Sequence, residues 1–282
     1  MPITAYRPIL QSVHSNAFDV NNSHSRASDS RPLLSQYRTD DELQESVSLV
    51  TACFHEEIRA SFRYMESSLP DERLVFIDLE TAGAEPWRPI IQIAAIALTS
   101  DLRELDCFEA KILFAERFAD SRSLRKPHYS HERWQQEGRP VRDVLNDFSE
   151  ILRRHATVDQ VSKAGVVFQV AQIVAHNAAF DSAFLNAWFA RFDSFLPASP
   201  RVLCTMQRAI WLFHEDKRLT PPPDFKLGTL CSYFGVPLRK SDAHDALADV
   251  RATVELYRAM NKASEAGQAS RGVSTERMEA CG

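Results

Sequence analysis

Val75-Phe76-Ile77-Asp78-Leu79-Glu80-Thr81-Ala82-Gly83 decides how this chain is read. Apolar residues from Leu74 to Ile77 run into two carboxylates and then a turn, the pattern of a buried strand with a polar end. Side chains alternate along a strand, so Asp78 and Glu80 project to one side and Leu79 to the other. Two carboxylates side by side at a buried strand end repel each other and lose hydration. A bound divalent cation offsets that cost, and hard oxygen ligands suit Mg²⁺ or Mn²⁺. A solvated strand end is the bland alternative, and this stretch by itself leaves it open.

Outward from that strand, Thr81 to Pro89 is a turn punctuated by Gly83, Pro86 and Pro89. Ile90 to Leu98 is a second, well-buried strand, and Cys107 to Phe114 a third after the Ser100-Asp101 turn. Connections this short indicate an antiparallel meander. Ser121 to Tyr129 is a basic, aromatic-containing stretch that fits a solvated loop and a phosphate contact equally. Pro140 opens a helix with Val141, Val144, Leu145, Phe148, Ile151 and Leu152 on one face. Val170 to Ala175 is a fourth strand, leading into His176-Asn177-Ala178-Ala179-Phe180-Asp181 and a helix. Val202 to Thr205 is a short fifth strand, followed by a helix to about His214. The helix through Leu227, Leu230 and Phe234 stops at Gly235 and Pro237, and a last helix spans roughly Asp245 to Asn261. Strands followed by alternating helices and strands indicate an α/β domain with a mixed five-stranded sheet flanked by helices.

That domain covers 71–262. Before it, 1–38 is rich in Ser, Asn, Asp and Arg without a sustained period and reads as a disordered arm. Over 39–70 the capping box Thr39-Asp40-Asp41-Glu42 starts an amphipathic helical extension with the stripe Leu43, Val47, Val50, Phe54, Ile58 and Phe62. The polar tail 263–282 is expected to be disordered.

Composition narrows the function classes. The chain has 282 residues, 44% hydrophobic and 25% charged, as an ordinary globular protein does. Its net charge is -5 and its pI about 6.0, so no global basic field holds long nucleic acid. A polyanion must be gripped locally or through metal ions. The five cysteines, Cys53, Cys107, Cys204, Cys231 and Cys281, have no C-x-x-C spacing. That argues against a disulfide framework or a zinc site. No apolar run spans a membrane and no signal-peptide order opens the chain, so a cytoplasmic protein is expected.

Two more acidic sites complete the picture. Asp181 falls in the first turn of a helix just after a strand, and His244-Asp245-Ala246-Leu247-Ala248-Asp249 opens the last helix. Five residues on a helix is about 140° past a full turn, so His244 and Asp249 converge only if His244 sits in the loop before the helix. Asp242 or Asp245 as cap allows that.

F-I-D-L-E-T-A-G, then A-H-N-A-A-F-D-S-A-F-L, then H-D-A-L-A-D resembles the three ordered motifs of the DEDDh, or DnaQ-like, 3′→5′ exonucleases. That family includes the epsilon subunit of bacterial DNA polymerase III, RNase T and oligoribonuclease. The likeness runs from about Leu74 to Met260 and includes Lys226-Leu227-Gly228-Thr229-Leu230 before Phe234-Gly235-Val236-Pro237. It implies an RNase H-like fold. It also implies that Asp78, Glu80, Asp181 and Asp249 hold two divalent ions, Mg²⁺ or Mn²⁺, with His244 as general base. Two such ions can stabilise the attacking and the leaving oxygen of an in-line displacement at phosphorus. A neutral imidazole can take a proton near neutral pH. The product would be a nucleoside 5′-monophosphate released from a 3′ end.

Further substrate contacts are expected at Thr81, Trp87, Asn177, Phe180, Arg125 and Lys126. Thr81 matches the family position that approaches the terminal nucleotide, and Trp87 is a stacking candidate on a loop. Asn177 reads as a helix cap or a substrate contact, and Phe180 as a stacking or a core residue. His176 reads as a packed strand-end histidine, and Asp245 as a helix-start acid rather than a ligand. Single-stranded DNA 3′ ends are the expected substrate, with RNA 3′-end processing as the alternative. A binding module that has lost turnover is the reading from another class. RNase T-like relatives suggest a homodimer. A polymerase partner finds no support in Gly267 to Gly272, which lacks the apolar residues a tether would bury.

Overall fold

The computed structural model describes residues 72–125, 129–239 and 244–279. All of them belong to the compact unit Tyr64–Gly282. The arm over 1–38 and the helix expected over 39–70 lie outside the described residues, as does Lys126.

Three strands open the domain: β1 (Leu74–Thr81), β2 (Ile90–Leu98) and β3 (Glu104–Lys111). They pair antiparallel in sequence order, the meander that the short connections indicate. Helices α1 (His131–Glu137) and α2 (Val141–Arg154) follow. Then come β4 (Ala156–Val161), β5 (Val167–Ala175), α3 (Ala178–Arg191), β6 (Leu203–Cys204) and α4 (Thr205–Glu215). The domain ends with α5 (Leu227–Phe234) and α6 (Ala246–Glu279). The sheet order is β3-β2-β1-β5-β4, with β6 also on β5. β5 lies parallel to β1, which carries the end of β5 to the same edge of the sheet as the end of β1.

Alternation on β1 sends its residues to two faces. Val75, Ile77 and Leu79 join Ile93, Ala95, Ala171, Ile173 and Ala175 under α2 and α3, whose Phe148, Phe184, Leu185 and Trp188 fill the space. Phe76 joins Ala94, Ile96, Leu98 and Val174 under Val250 and Val254 of α6. Large side chains buried this fully contribute about 1.5–3 kcal/mol each. α6 therefore lies across the face of β1 that also bears Asp78 and Glu80.

The sheet has six strands where the sequence indicates five. The additional one is β4, an edge strand in which no residue is fully buried, so it shows no apolar alternation to read. β3 begins and ends three residues earlier than expected, and its exposed outer positions blur the pattern in the same way. The last helix continues to Glu279 through the tail expected to be disordered from 263. Val250, Val254, Leu256 and Met260 anchor it on the domain. Beyond that anchor each added residue completes one more backbone hydrogen bond without a new nucleus, and Ala263, Glu265, Ala266, Gln268 and Ala269 favour helix.

Candidate active site

The first pair of carboxylates stands where the β1–β2 ladder ends. Asp78 faces Ala94 across the ladder and Glu80 faces Gln92, with the register shifting between Glu80 and Thr81. The turn beyond is fastened tightly. Ala82 N–H donates to the Pro89 carbonyl at 2.8 Å, and the Thr81 hydroxyl to the Gly83 carbonyl at 2.7 Å. The Arg88 side chain lies over Gly83 so closely that a Cβ there would sit 2.1 Å from Arg88 Cδ.

Asp181 comes from the end of β5. Asn177 takes the left-handed conformation, φ 61°, which turns the chain from the strand into α3. Asp181 then falls in the first turn of that helix and is 3% exposed. His176, the residue before the turn, is wired in place. Its Nε2 lies 3.0 Å from the Phe225 carbonyl, which can only accept, so Nε2 carries the proton. Its Nδ1 then accepts from the Thr205 hydroxyl at 2.9 Å. Burial lowers the His176 pKa, against a smaller opposing effect of that carbonyl, and keeps the ring neutral.

His244 and Asp249 converge as their spacing requires. His244 sits in the turn before α6 at φ 69°, and Asp249 is in the helix's first turn. The His244 N–H donates to Asp249 Oδ2 at 3.2 Å. Asp245 is the cap: its Oδ1 accepts from Ala248 N–H at 3.2 Å.

The electrostatics register the crowding. Burial, followed by the charges of Asp181, Glu80 and Asp249, holds the Asp78 carboxyl well above its ordinary range. Burial pushes Asp181 up to about 7, against hydrogen bonds from its own backbone and that of Leu79. Asp249 is raised to about 6 by burial, with Asp245 adding and the His244 N–H opposing. Ligand atoms of Glu80, His244 and Asp249 lie within 4.8 Å of one another. Asp249 Oδ1 is shielded from solvent and has no hydrogen-bond partner. Carboxylates held close, three of them reluctant to ionise and one with an unpartnered oxygen, suit divalent cations with oxygen ligands, so the residues present fit the metal that the motifs imply.

An open pocket of about 270 Å³ gathers Asp78, Glu80, Asp181, His244 and Asp249, together with Thr81 and Phe180. Phe180 also packs on Phe184 at 4.7 Å, so it belongs to the pocket wall and the core at once. Trp87 lies outside that lining, 56% exposed, on the turn beyond Gly83. The Arg191 guanidinium holds its carbonyl at 2.7 Å, and the Arg88 guanidinium lies 4.4 Å over its ring. Asn177 lines a neighbouring cavity of about 290 Å³ instead, and its side chain makes no capping bond. Arg125 is exposed at the end of a short 3₁₀ turn, outside the pocket lining. Ser123 and His176 line the pocket and were not among the expected site residues. His176 stands beside a motif residue, whereas Ser123 arrives by tertiary fold-back, with Asp120 N–H bonded to the Ala82 carbonyl at 2.7 Å. A larger cavity of about 550 Å³ by β5 and α3 is lined by apolar and uncharged residues such as Phe168, Phe189 and Phe195, and has no part in this arrangement.

Comparison with known proteins follows the same residues. The RNase T family, described as exonuclease, matches residues 75–257. The chain belongs to this exonuclease family. A DNA polymerase III of the PolC type from Bacillus subtilis (strain 168) is 29% identical over 202 residues, 71% of this chain and 12% of that relative. E. coli exonuclease I in complex with a dT13 oligonucleotide superposes with a TM-score of 0.53 at 20% identity, over 66% of this chain and 40% of the other. The zinc ion-bound form of the E. coli exonuclease I complex with single-stranded DNA gives 0.55 at 20% identity, over 68% and 41%. The exonuclease domain thus has the RNase H-like fold, a mixed sheet flanked by helices. The chain spans about an eighth of the length of the curated relatives it matches, 12–13%. Among the described residues no helix is long and apolar enough to cross a membrane.

Proposed function

We propose that this protein is a metal-dependent 3′→5′ exonuclease that trims single-stranded DNA ends to nucleoside 5′-monophosphates. The observation that carries the reading is the convergence of four carboxylates and one imidazole in a single open pocket. Asp78, Glu80, Asp181 and Asp249 would hold two divalent ions, Mg²⁺ or Mn²⁺. Bound there, the ions would supply charge stabilisation to the attacking and leaving oxygens at phosphorus. His244, exposed at the rim, takes the proton from the attacking water and passes it to solvent. Thr81, at the end of β1, contacts the terminal nucleotide. Phe180 forms the wall beside it, and Trp87 offers an exposed indole on which a following base can stack. Support for DNA comes from the polymerase relative and from the exonuclease I complexes, which hold DNA oligonucleotides. Support for single strands comes from the pocket, whose about 270 Å³ suits a flexible end rather than a duplex.

The test is incubation with 3′- and 5′-labelled single strands, duplexes, closed circles and short RNAs in Mg²⁺ or Mn²⁺. Shortening from the 3′ end of single-stranded DNA, abolished by EDTA and restored by Mn²⁺, is the expected result. Cutting of closed circles would overturn the exonuclease reading. Preference for RNA would overturn the substrate, and silence on every substrate would leave a binding module.

A further inference from the structure

β2 is buried at all nine positions, and one of them is a glutamine. Gln92 is 1% exposed and stands opposite Glu80 in the β1–β2 ladder. A buried amide with unmet donors is costly, so its partners matter. Its Nε2 donates to Glu109 Oε1 at 2.9 Å and to Asp245 Oδ2 at 3.2 Å. Both partners are carboxylates, which accept only, so the amide nitrogen and not the oxygen faces them. Both hydrogens of that nitrogen are thereby used.

The second bond reaches the third motif. Asp245 uses its other oxygen to cap α6 through Ala248 N–H, and its carbonyl accepts from Asp249 N–H at 2.9 Å. Asp249 Oδ2 in turn accepts from His244 N–H at 3.2 Å. An unbroken chain of hydrogen bonds therefore runs from the middle of the sheet, beside Glu80, to the candidate base and the last carboxylate. Outside that chain, Lys111 makes ion pairs with Glu109 at 3.8 Å and Glu137 at 2.8 Å.

We propose that Gln92 is a positioning residue which fixes the start of α6, through Asp245, so that His244 and Asp249 meet the carboxylates of β1 in register. The inference rests on the exonuclease reading for its consequence in catalysis and on the hydrogen-bond chain alone for its consequence in structure. Outer groups that orient ligands and bases are typically worth about 10–100-fold in activity or metal affinity. Gln92→Met keeps the length and removes both donors. It should lower kcat on a single-stranded oligonucleotide by about 10–100-fold with KM within about twofold. Placed on top of Asp245→Ala, the same substitution should add less than about twofold, because the path is already cut.

Hydrogen exchange on the metal-free full-length protein gives a readout independent of activity: amides over 244–250 should exchange faster in Gln92→Met while those of β5 stay unchanged. An active wild type with kcat of Gln92→Met within twofold of it overturns the inference. So does an undiminished loss in the Asp245→Ala background. If the wild type cleaves nothing, the exonuclease reading has failed and exchange alone decides: faster exchange over 244–250 upholds the positioning role and unchanged exchange overturns it. Should Gln92→Met not fold, Asp245→Asn carries the test: its amide oxygen keeps the cap while its nitrogen cannot accept from Gln92, so the same kcat-selective loss and faster exchange are expected, and their absence overturns the inference.

Discussion

Ile77 and Asp78 are neighbours on β1 and obey different rules. Around Ile77 the packing is continuous: Val144, Phe148, Phe184 and Trp188 close over the strand. Around Asp78 the packing under α6 runs from Phe76 to Val250 and then gives way to the carboxylates. Burial on the first side lowers the free energy of the folded chain. Burial on the second raises it, since Asp78, Asp181 and Asp249 are all pushed above their ordinary pKa values. The two faces of one strand thus separate stability from chemistry, and the apolar face offsets what the acidic face costs.

The separation predicts opposite responses to substitution. Asp181→Ala should abolish measurable cleavage, a larger loss than the about 10²–10⁴-fold that removing a general base costs. The same change removes a buried carboxyl, so the metal-free protein should melt no lower than the wild type. A thermal melt beside a cleavage assay checks both, and a collapse of Tm would mean that the acidic face is also structural.

His244→Ala should slow kcat by about 10²–10⁴-fold while Mn²⁺ still binds. Calorimetry decides the role, because the ring also lies within ligand distance of Glu80 and Asp249. Loss of Mn²⁺ as severe as in Asp78→Ala would make His244 a ligand.

On the other face, Phe148 is fully buried, with Phe108, Trp188 and Phe189 rings at 6.1, 6.4 and 6.4 Å. Phe148→Ala should cost about 3–5 kcal/mol in denaturant unfolding. Activity per folded molecule should stay within a few-fold of wild type, and a much larger loss would break the comparison.

The smallest effect is on pH. Between the ordinary carboxyl range and pH 6–7 the metal-free native state holds protons on Asp249 and Asp181 that the unfolded chain has released. The native state binding more protons means that stability falls as pH rises. Tm of the metal-free protein should therefore drop from pH 5 to pH 8, and Mn²⁺ should restore more of it at pH 8 than at pH 5. A flat profile would show that the acidic face carries no such strain.

Much of this arrangement is legible from residues alone, and the exceptions have physical causes. β2 is read at both ends because every position is buried and Pro89 and Ser100 bound it. The stop of α5 is read because Gly235 takes the left-handed conformation, φ 70°, that its position requires. The loop position of His244 follows from helical geometry applied to a five-residue spacing. β4 escapes because an edge strand need not alternate, and the reach of α6 escapes because helix propensity extends it without an apolar stripe. Ser123 lies within the Ser121 to Tyr129 stretch read as a loop or a phosphate contact, and nothing local singles it out from its neighbours. Asn177 lines a different cavity, although the turn it makes carries Phe180 and Asp181 into the pocket. Gln92 was visible as a polar residue inside an apolar run, and only its partners give that oddity a meaning.

His244 has a left-handed backbone, which burdens any residue with a Cβ by about 1–2 kcal/mol relative to glycine. The imidazole is therefore held at a position where evolution for stability alone would choose glycine. A drift from His244 to glycine would relax the turn and leave the four carboxylates in place. On the roles proposed for these residues, the fold thus contains a downhill route from a nuclease to a sturdier protein that keeps its four carboxylates and does not cut, two nucleotide changes away in the His244 codon.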